Sequence, residues 1–184
     1  MMNDPAISEW QGRLILASPI LEDDTFDHSV VIITNHTPTE GSKGFIINNP
    51  LGKTIQQLLP KKRFPQELKS IEVFNGGPVD QDELTLVALT TKKTTLLYRA
   101  GINAEEAIDH LQTPGTLVRG FMGHCSWVKG QIEHEFMTGS WVTISAHAPL
   151  LGMIHDRQLW LQLMNAESPM HALLARAPKH YFLN

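Results

Sequence analysis

Apolar residues in this chain come in runs no longer than four, and the longest of them have the composition of strands. Val30-Val31-Ile32-Ile33 is β-branched throughout and bounded by polar residues, and Leu86-Val87-Ala88-Leu89 has the same length. A short, β-branched apolar run with polar flanks reads as a buried strand. A helix that crosses a membrane needs about 20 such residues. The chain is therefore expected to hold a buried strand at 29–35 and no membrane span.

More strands fall around these two. Residues 14–18 are apolar and stopped by Pro19, and residues 44–48, with Phe45-Ile46-Ile47, are the expected neighbour of 29–35 across a turn at Gly41-Ser42. Residues 72–75 and 84–89 flank a Gly76-Gly77-Pro78 corner, and 94–98 follows closely enough to make a hairpin with the latter. Strands at 116–121 and 141–146 bracket a helix at 130–137, in which Ile132 and Phe136 lie one turn apart and Gly139 is placed to close the end. Asn103 with Glu106 forms a helix start, followed by a stripe of Ala104, Ala107, Ile108 and Leu111 that must end before Pro114. A short helix runs from Thr54 to the stop at Pro60. Near the C-terminus Leu159/Leu163 and Trp160/Met164 pair at i, i+4, and Ser168-Pro169 opens a last helix. Strands cluster early and helices are interspersed late. The expected class is α+β, with a mixed, largely antiparallel sheet flanked by helices.

At 184 residues and 42% hydrophobic content the chain can bury one core, so residues 1–184 are expected to form a single domain, with helices over 155–177 packed on it. Cys125 is the sole cysteine, which excludes an intrachain disulfide. The first residues, Met1-Met2-Asn3-Asp4-Pro5, have neither a positive region nor an apolar stretch behind it, and a cytoplasmic location is the expectation. A net charge of −4 and the lack of a basic helix in a helix-turn-helix pair argue against direct, specific DNA binding. The basic runs Lys61-Lys62-Arg63 and Lys92-Lys93 read as solvated turns.

Chemical motifs are sparse. Gly123-His124-Cys125-Ser126-Trp127 differs from a cysteine-protease signature, in which the aromatic residue directly follows the cysteine, so Cys125 reads as a buried packing thiol. The histidines make no zinc-binding spacing, and no metal or cofactor is expected. Glu133 and Glu135 lie about 200° apart on a helix and cannot act as a carboxylate pair, whereas Gln131 and Glu135 share a face. No phosphate-binding glycine motif is present, and Gly76-Gly77 reads as a tight corner.

Several segments taken together resemble the YqgE/AlgH-like family of bacterial proteins. They are Gly12-Arg13-Leu14-Ile15-Leu16-Ala17-Ser18-Pro19, then Phe26, Ser29-Val30-Val31 and His36, then Gly44-Phe45-Ile46-Ile47-Asn48-Asn49-Pro50 and Gly76-Gly77-Pro78-Val79. The strongest are Gly123, Trp127, Gly130-Gln131-Ile132-Glu133-His134-Glu135 and Gly139-Ser140-Trp141, and the ordered set spans about residues 10–145. His124, Cys125 and Ser126 depart from the family's usual aromatic, small residue and glycine, and Lys129 stands where proline is frequent. The resemblance implies a compact α+β fold with a branched, partly barrel-like sheet. Family members are mostly uncharacterised, and one branch is linked to the regulation of alginate production. No activity or cofactor comes with the resemblance.

Two functions fit this reading. One is a non-enzymatic protein that acts by binding, in regulation, with a protein as its candidate partner. The other is a small-ligand binder or enzyme using a polar crease formed by His36, Asn48, Gly76, Gly77, Trp127, Gln131, Glu133 and Glu135. Within that crease, Glu133 is expected to clamp the Gly76-Gly77 corner through its backbone amides, and Glu135 to face solvent.

Overall fold

The structure, a computed structural model, describes residues 10–21, 23–92, 95–145 and 156–167, together with Leu173 and Arg176. In chain order the strands are β1 (Arg13–Ala17), β2 (Val30–Thr37), β3 (Gly41–Ile46), β4 (Pro50–Thr54), β5 (Glu72–Asn75), β6 (Val79–Lys92), β7 (Thr95–Ala100), β8 (Thr116–Trp127) and β9 (Trp141–Ser145). The helices are α1 (Ile55–Leu58), α2 (Ala104–Gln112), α3 (Gln131–Met137) and α4 (Arg157–Glu167). The helix expected from Ser168 lies outside the described residues, apart from positions 173 and 176, which are helical.

The unbroken apolar runs are explained by what covers them. Along β1 and β2, Leu14, Leu16, Val30 and Ile32 enter one buried cluster with Phe45, Phe121, Leu159, Trp160 and Met164. Their neighbours Ile15, Ala17, Val31 and Ile33 enter a second, with Trp10, Trp127, Ile132 and Trp141. Successive side chains of a strand point to opposite faces, so a strand covered by α4 on one side and α3 on the other must be apolar at every position. Trp160 Nε1 donates to the Ala17 carbonyl at 2.8 Å, so even the polar tip of this core residue is satisfied. Beneath α1 and α2 a third cluster joins Ile55, Leu68, Val73, Leu86, Ala107 and Val118. Leu111, expected on the apolar stripe of α2, is 41% exposed instead.

The sheet branches at β8. Its first part runs antiparallel to β6 and, over Gly120–Met122, parallel to β5; its last residues, Cys125 to Trp127, pair with β3. The remaining pairs are antiparallel, and among the described strands the sheet does not close. Gly123, with φ of 70°, stands where β8 leaves one set of partners for the other. The Gly76-Gly77 corner crosses that bend. Gly76 N–H donates to the Met122 carbonyl at 2.8 Å, and its own carbonyl accepts from Ile46 N–H at 2.9 Å, so the corner ties β8 to β3.

Several boundaries differ from the sequence reading: β4 has no counterpart among the expected strands, and β8 runs past the expected residue 121 to Trp127. The turn between β2 and β3 falls on residues 38–40, and Gly41 and Ser42 are already paired with Thr37 and His36 in the strand ladder. Strand β6 begins at Val79, ahead of the expected residue 84, through polar residues that lack apolar alternation and that shift register before Leu84.

Candidate functional site

Around α3 the roles of the two glutamates are the reverse of the expectation. Glu135 Oε2 accepts from the indole N–H of Trp127 at 2.9 Å and of Trp141 at 2.7 Å. Its Oε1 accepts from Gln131 Nε2 at 2.8 Å, and Gln131 Oε1 accepts from Val128 N–H at 2.9 Å. Both tryptophans are buried, one at the end of β8 and one at the start of β9, and Phe26 stacks on the first and meets the second edge-on. Glu135 is thus the clamp, because buried indoles need an acceptor and a carboxylate is a strong one. The backbone groups of Gly76 and Gly77 are engaged elsewhere: Gly77 N–H donates to Asn75 Oδ1 at 3.2 Å, and Gly76 bonds Met122 and Ile46.

Glu133 faces His36 instead. Its Oε1 lies 3.6 Å from His36 Nε2, and His36 Nδ1 lies 2.8 Å from Ser42 Oγ. With a carboxylate beside Nε2, the ring proton belongs there, and the Ser42 hydroxyl donates to Nδ1. Serine, imidazole and carboxylate follow one another as in a hydrolase triad. Ser42, however, is only 3% exposed and sits within the β3 ladder opposite Trp127, where no scissile carbonyl can approach. His36 Nε2 and Glu133 Oε2 are both buried and make no hydrogen bond among the described residues. The group is a polar tie between β2, β3 and α3.

Asn48 belongs to a different place. Its Oδ1 accepts from Val30 N–H and its Nδ2 donates to the His28 carbonyl, each at 2.8 Å. It lines a polar cleft of about 230 Å³ with Asp24, Thr25, Asp27, His28, Ser29, Asn49 and Arg157. His28 has φ of 58°, a left-handed conformation uncommon for a residue with a side chain, and Asn48 is one of the groups that hold it. The His28 ring meets Trp160 edge-on at 4.3 Å. Asp27 bridges the wall: Oδ1 lies 2.8 Å from His28 Nδ1 and Oδ2 accepts from Arg157 Nη2 at 2.7 Å. Arg157 Nη2 is also 3.3 Å from His28 Nδ1. The shorter contact places a proton on Nδ1, donated to Asp27, and in the neutral ring Nε2 is then the acceptor.

The structure therefore divides the eight residues of the expected crease. Trp127, Gln131 and Glu135 form one cluster, His36 and Glu133 a second, Gly76 and Gly77 a structural crossing, and Asn48 the floor of a cleft. Sequence reading missed Asp27, His28 and Arg157. Arg157 meets Asp27 across 130 positions, with no local signal to announce it. Among the described residues no group of three or more histidine, cysteine, aspartate or glutamate side chains is placed to hold a metal ion, and no helix is long and apolar enough to cross a membrane.

Cys125 is buried, its Sγ donates to the Gly76 carbonyl at 3.4 Å, and burial pushes its thiol far up from the ordinary range. A thiol held in its neutral form is a poor nucleophile. Cys125→Ser should retain the bond to Gly76 and cost about 1–2 kcal/mol in thermal or urea unfolding. Because the unfolded chain ionises this thiol and the folded one does not, its contribution is complete below about pH 8.5 and lost as pH rises further. Loss of stability well beyond that range, or rapid labelling of the native protein by a thiol reagent at neutral pH, would refute the packing role.

Comparison with known proteins agrees with this architecture. A UPF0301 protein of Thermobifida fusca is 29% identical over 189 residues, covering 94% of each chain. Another, from Erwinia tasmaniensis, is 31% identical over 155 residues, covering 77% of this chain and 82% of the relative. A crystal structure from Corynebacterium diphtheriae superposes with a TM-score of 0.68 at 19% identity, over 96% of this chain and 100% of that one. The solution structure of the AlgH protein from Pseudomonas aeruginosa gives a TM-score of 0.61 at 21% identity, over 96% and 99% of the two chains. Those two likenesses speak for the fold. A family model described as AlgH-like matches residues 14–170, and the chain belongs to that family.

Proposed function

We propose that this chain is a cytoplasmic binding protein with a regulatory role, and that it recognises its ligand at the cleft walled by Asp27, His28 and Arg157. The observation that carries the reading is the left-handed backbone of His28, held by Asn48 while Asp27 fixes the imidazole. A strained residue that persists at a cleft points to a function for its side chain. The polar groups of Trp127, Gln131, Glu135 and Trp141 are engaged with one another, and the thiol of Cys125 is buried, which supports binding over turnover. The regulatory role draws on likeness to the AlgH-like family alone.

The test is mass spectrometry of protein purified without denaturation, beside His28→Asn. Asparagine tolerates the left-handed region, so this change removes the imidazole and keeps the backbone. A small molecule retained by the parent and lost from the variant is the expected result. A ligand held undiminished by the variant would move the site elsewhere. A second reading, catalysis, draws on the same Asp27–His28 pair, since a carboxylate-oriented imidazole is suited to general-base work. Consumption of the retained molecule on incubation would favour it.

Nucleic acid is not the expected partner, because the chain carries a net charge of −4. Fluorescence anisotropy against pooled promoter fragments should show no sequence-selective binding that survives physiological salt. A selective nanomolar complex would overturn this and make DNA the ligand.

A further inference from the structure

We infer that the cleft takes a protonated amine, the ammonium group of a small organic molecule lodged between the Asp24 carboxylate and His28 Nε2. This rests on the reading of the cleft as the recognition site and adds the chemistry of what enters it. Charge is the first argument. Asp27 is matched by Arg157 at 2.7 Å, whereas Asp24 lines the same cleft, is exposed, and has no ion pair among the described residues. Among the described residues that line the cleft, Asp24, Asp27 and Arg157 leave one negative charge over. An anion would meet Asp24 and Asp27 together, and a neutral ligand would gain nothing from either.

The remaining polar groups are the second argument. In its neutral form, with the Nδ1 proton given to Asp27, His28 offers a lone pair at Nε2, and Thr25 and Ser29 belong to the lining. An ammonium group carries three donors and no acceptor, so it suits a wall that presents acceptors. The positive end of α4 would otherwise favour an anion, but Asp156 caps it, with Oδ1 accepting from Gln158 N–H at 2.8 Å. Size is the third. A cleft of about 230 Å³ is below the ~300–1,000 Å³ of sites that enclose drug-sized ligands, so it admits a head group and leaves the rest outside.

The experiment uses three probes of equal length that differ in charge: butylamine, butanol and butyrate, each titrated into isotope-labelled protein at neutral pH and followed by amide shifts. Butylamine should move the amides of residues 24–29, 48, 49 and 157 saturably, and butyrate should leave them in place. Asp24→Asn should weaken butylamine by up to about fivefold, the loss expected for an exposed ion pair, with the unfolding temperature unchanged. If butanol or butyrate moves these amides and butylamine does not, the amine is wrong and the cleft stands as the recognition site. If none of the three moves them, the inference falls, and the retained molecule with its response to His28→Asn decides the cleft independently. Undiminished butylamine binding by Asp24→Asn also overturns the proposal.

Discussion

Glu135→Ala should be among the most damaging single changes in this chain, costing about 4 kcal/mol, or roughly 10 °C in unfolding temperature. The change deletes the acceptor for two indole N–H groups at once, and both belong to tryptophans that are 3% exposed. A buried donor left without a partner costs about 1–3 kcal/mol, more where the lost bond was to a charge. Glu135→Gln keeps one carboxamide oxygen but turns an amino group on the cluster, so it should fall between alanine and the parent. Glu133→Gln, at 3.6 Å from His36 and 28% exposed in its side chain, should cost no more than about 1 kcal/mol. Urea unfolding of the three variants, with tryptophan emission as the second signal, checks the order. Equal small shifts at 133 and 135 would show that the indoles find other acceptors and that Glu135 holds nothing in place.

That contrast shows where sequence reasoning stops. Helical spacing places Glu133 and Glu135 on opposite sides of α3 and puts Gln131 with Glu135, and both statements hold. Spacing does not say which side meets Trp127 and Trp141, because the ends of β8 and β9 come together only through the sheet. Local signals fared better where the physics is local. Asn103 and Glu106 cap α2 reciprocally at 2.9 Å each, as the pattern requires. The β-branched run of β2 is buried from Val30 to Ile33. Ser42 was hidden by a turn placed too late: with Gly41-Ser42 in the turn, no cross-strand partner for His36 is visible, whereas the ladder sets His36 directly opposite Ser42. The cleft depends on a contact between the loop before β2 and the start of α4, which neither periodicity nor motif encodes.

The Gly76-Gly77 corner leads to the last expectation, a loss of folding from one methyl group. A Cβ on Gly77 would run into the carbonyl carbon and oxygen of His124, and φ there is 148°, where side chains are rarely found. The obstacle is backbone, and it cannot rotate away as a side chain can. From the other side, a Cβ on Gly123 would stand 2.5 Å from the Gly77 carbonyl oxygen, so the two chains already touch. Separating them would pull Gly76 from Met122 and Ile46, and with them the tie between β8 and β3. Gly77→Ala should therefore cost more than about 4 kcal/mol, beyond the usual range for one substitution, and yield little soluble protein. Gly52→Ala supplies the control. Its φ is 63° and nothing lies within 4 Å of the added methyl group, so it isolates the penalty of a left-handed alanine, about 1–2 kcal/mol. Unfolding of both variants, by urea or heat, separates backbone collision from backbone conformation. Comparable costs at the two positions would mean that the corner can open, and the crossing of β8 could then no longer be what fixes the branch of the sheet.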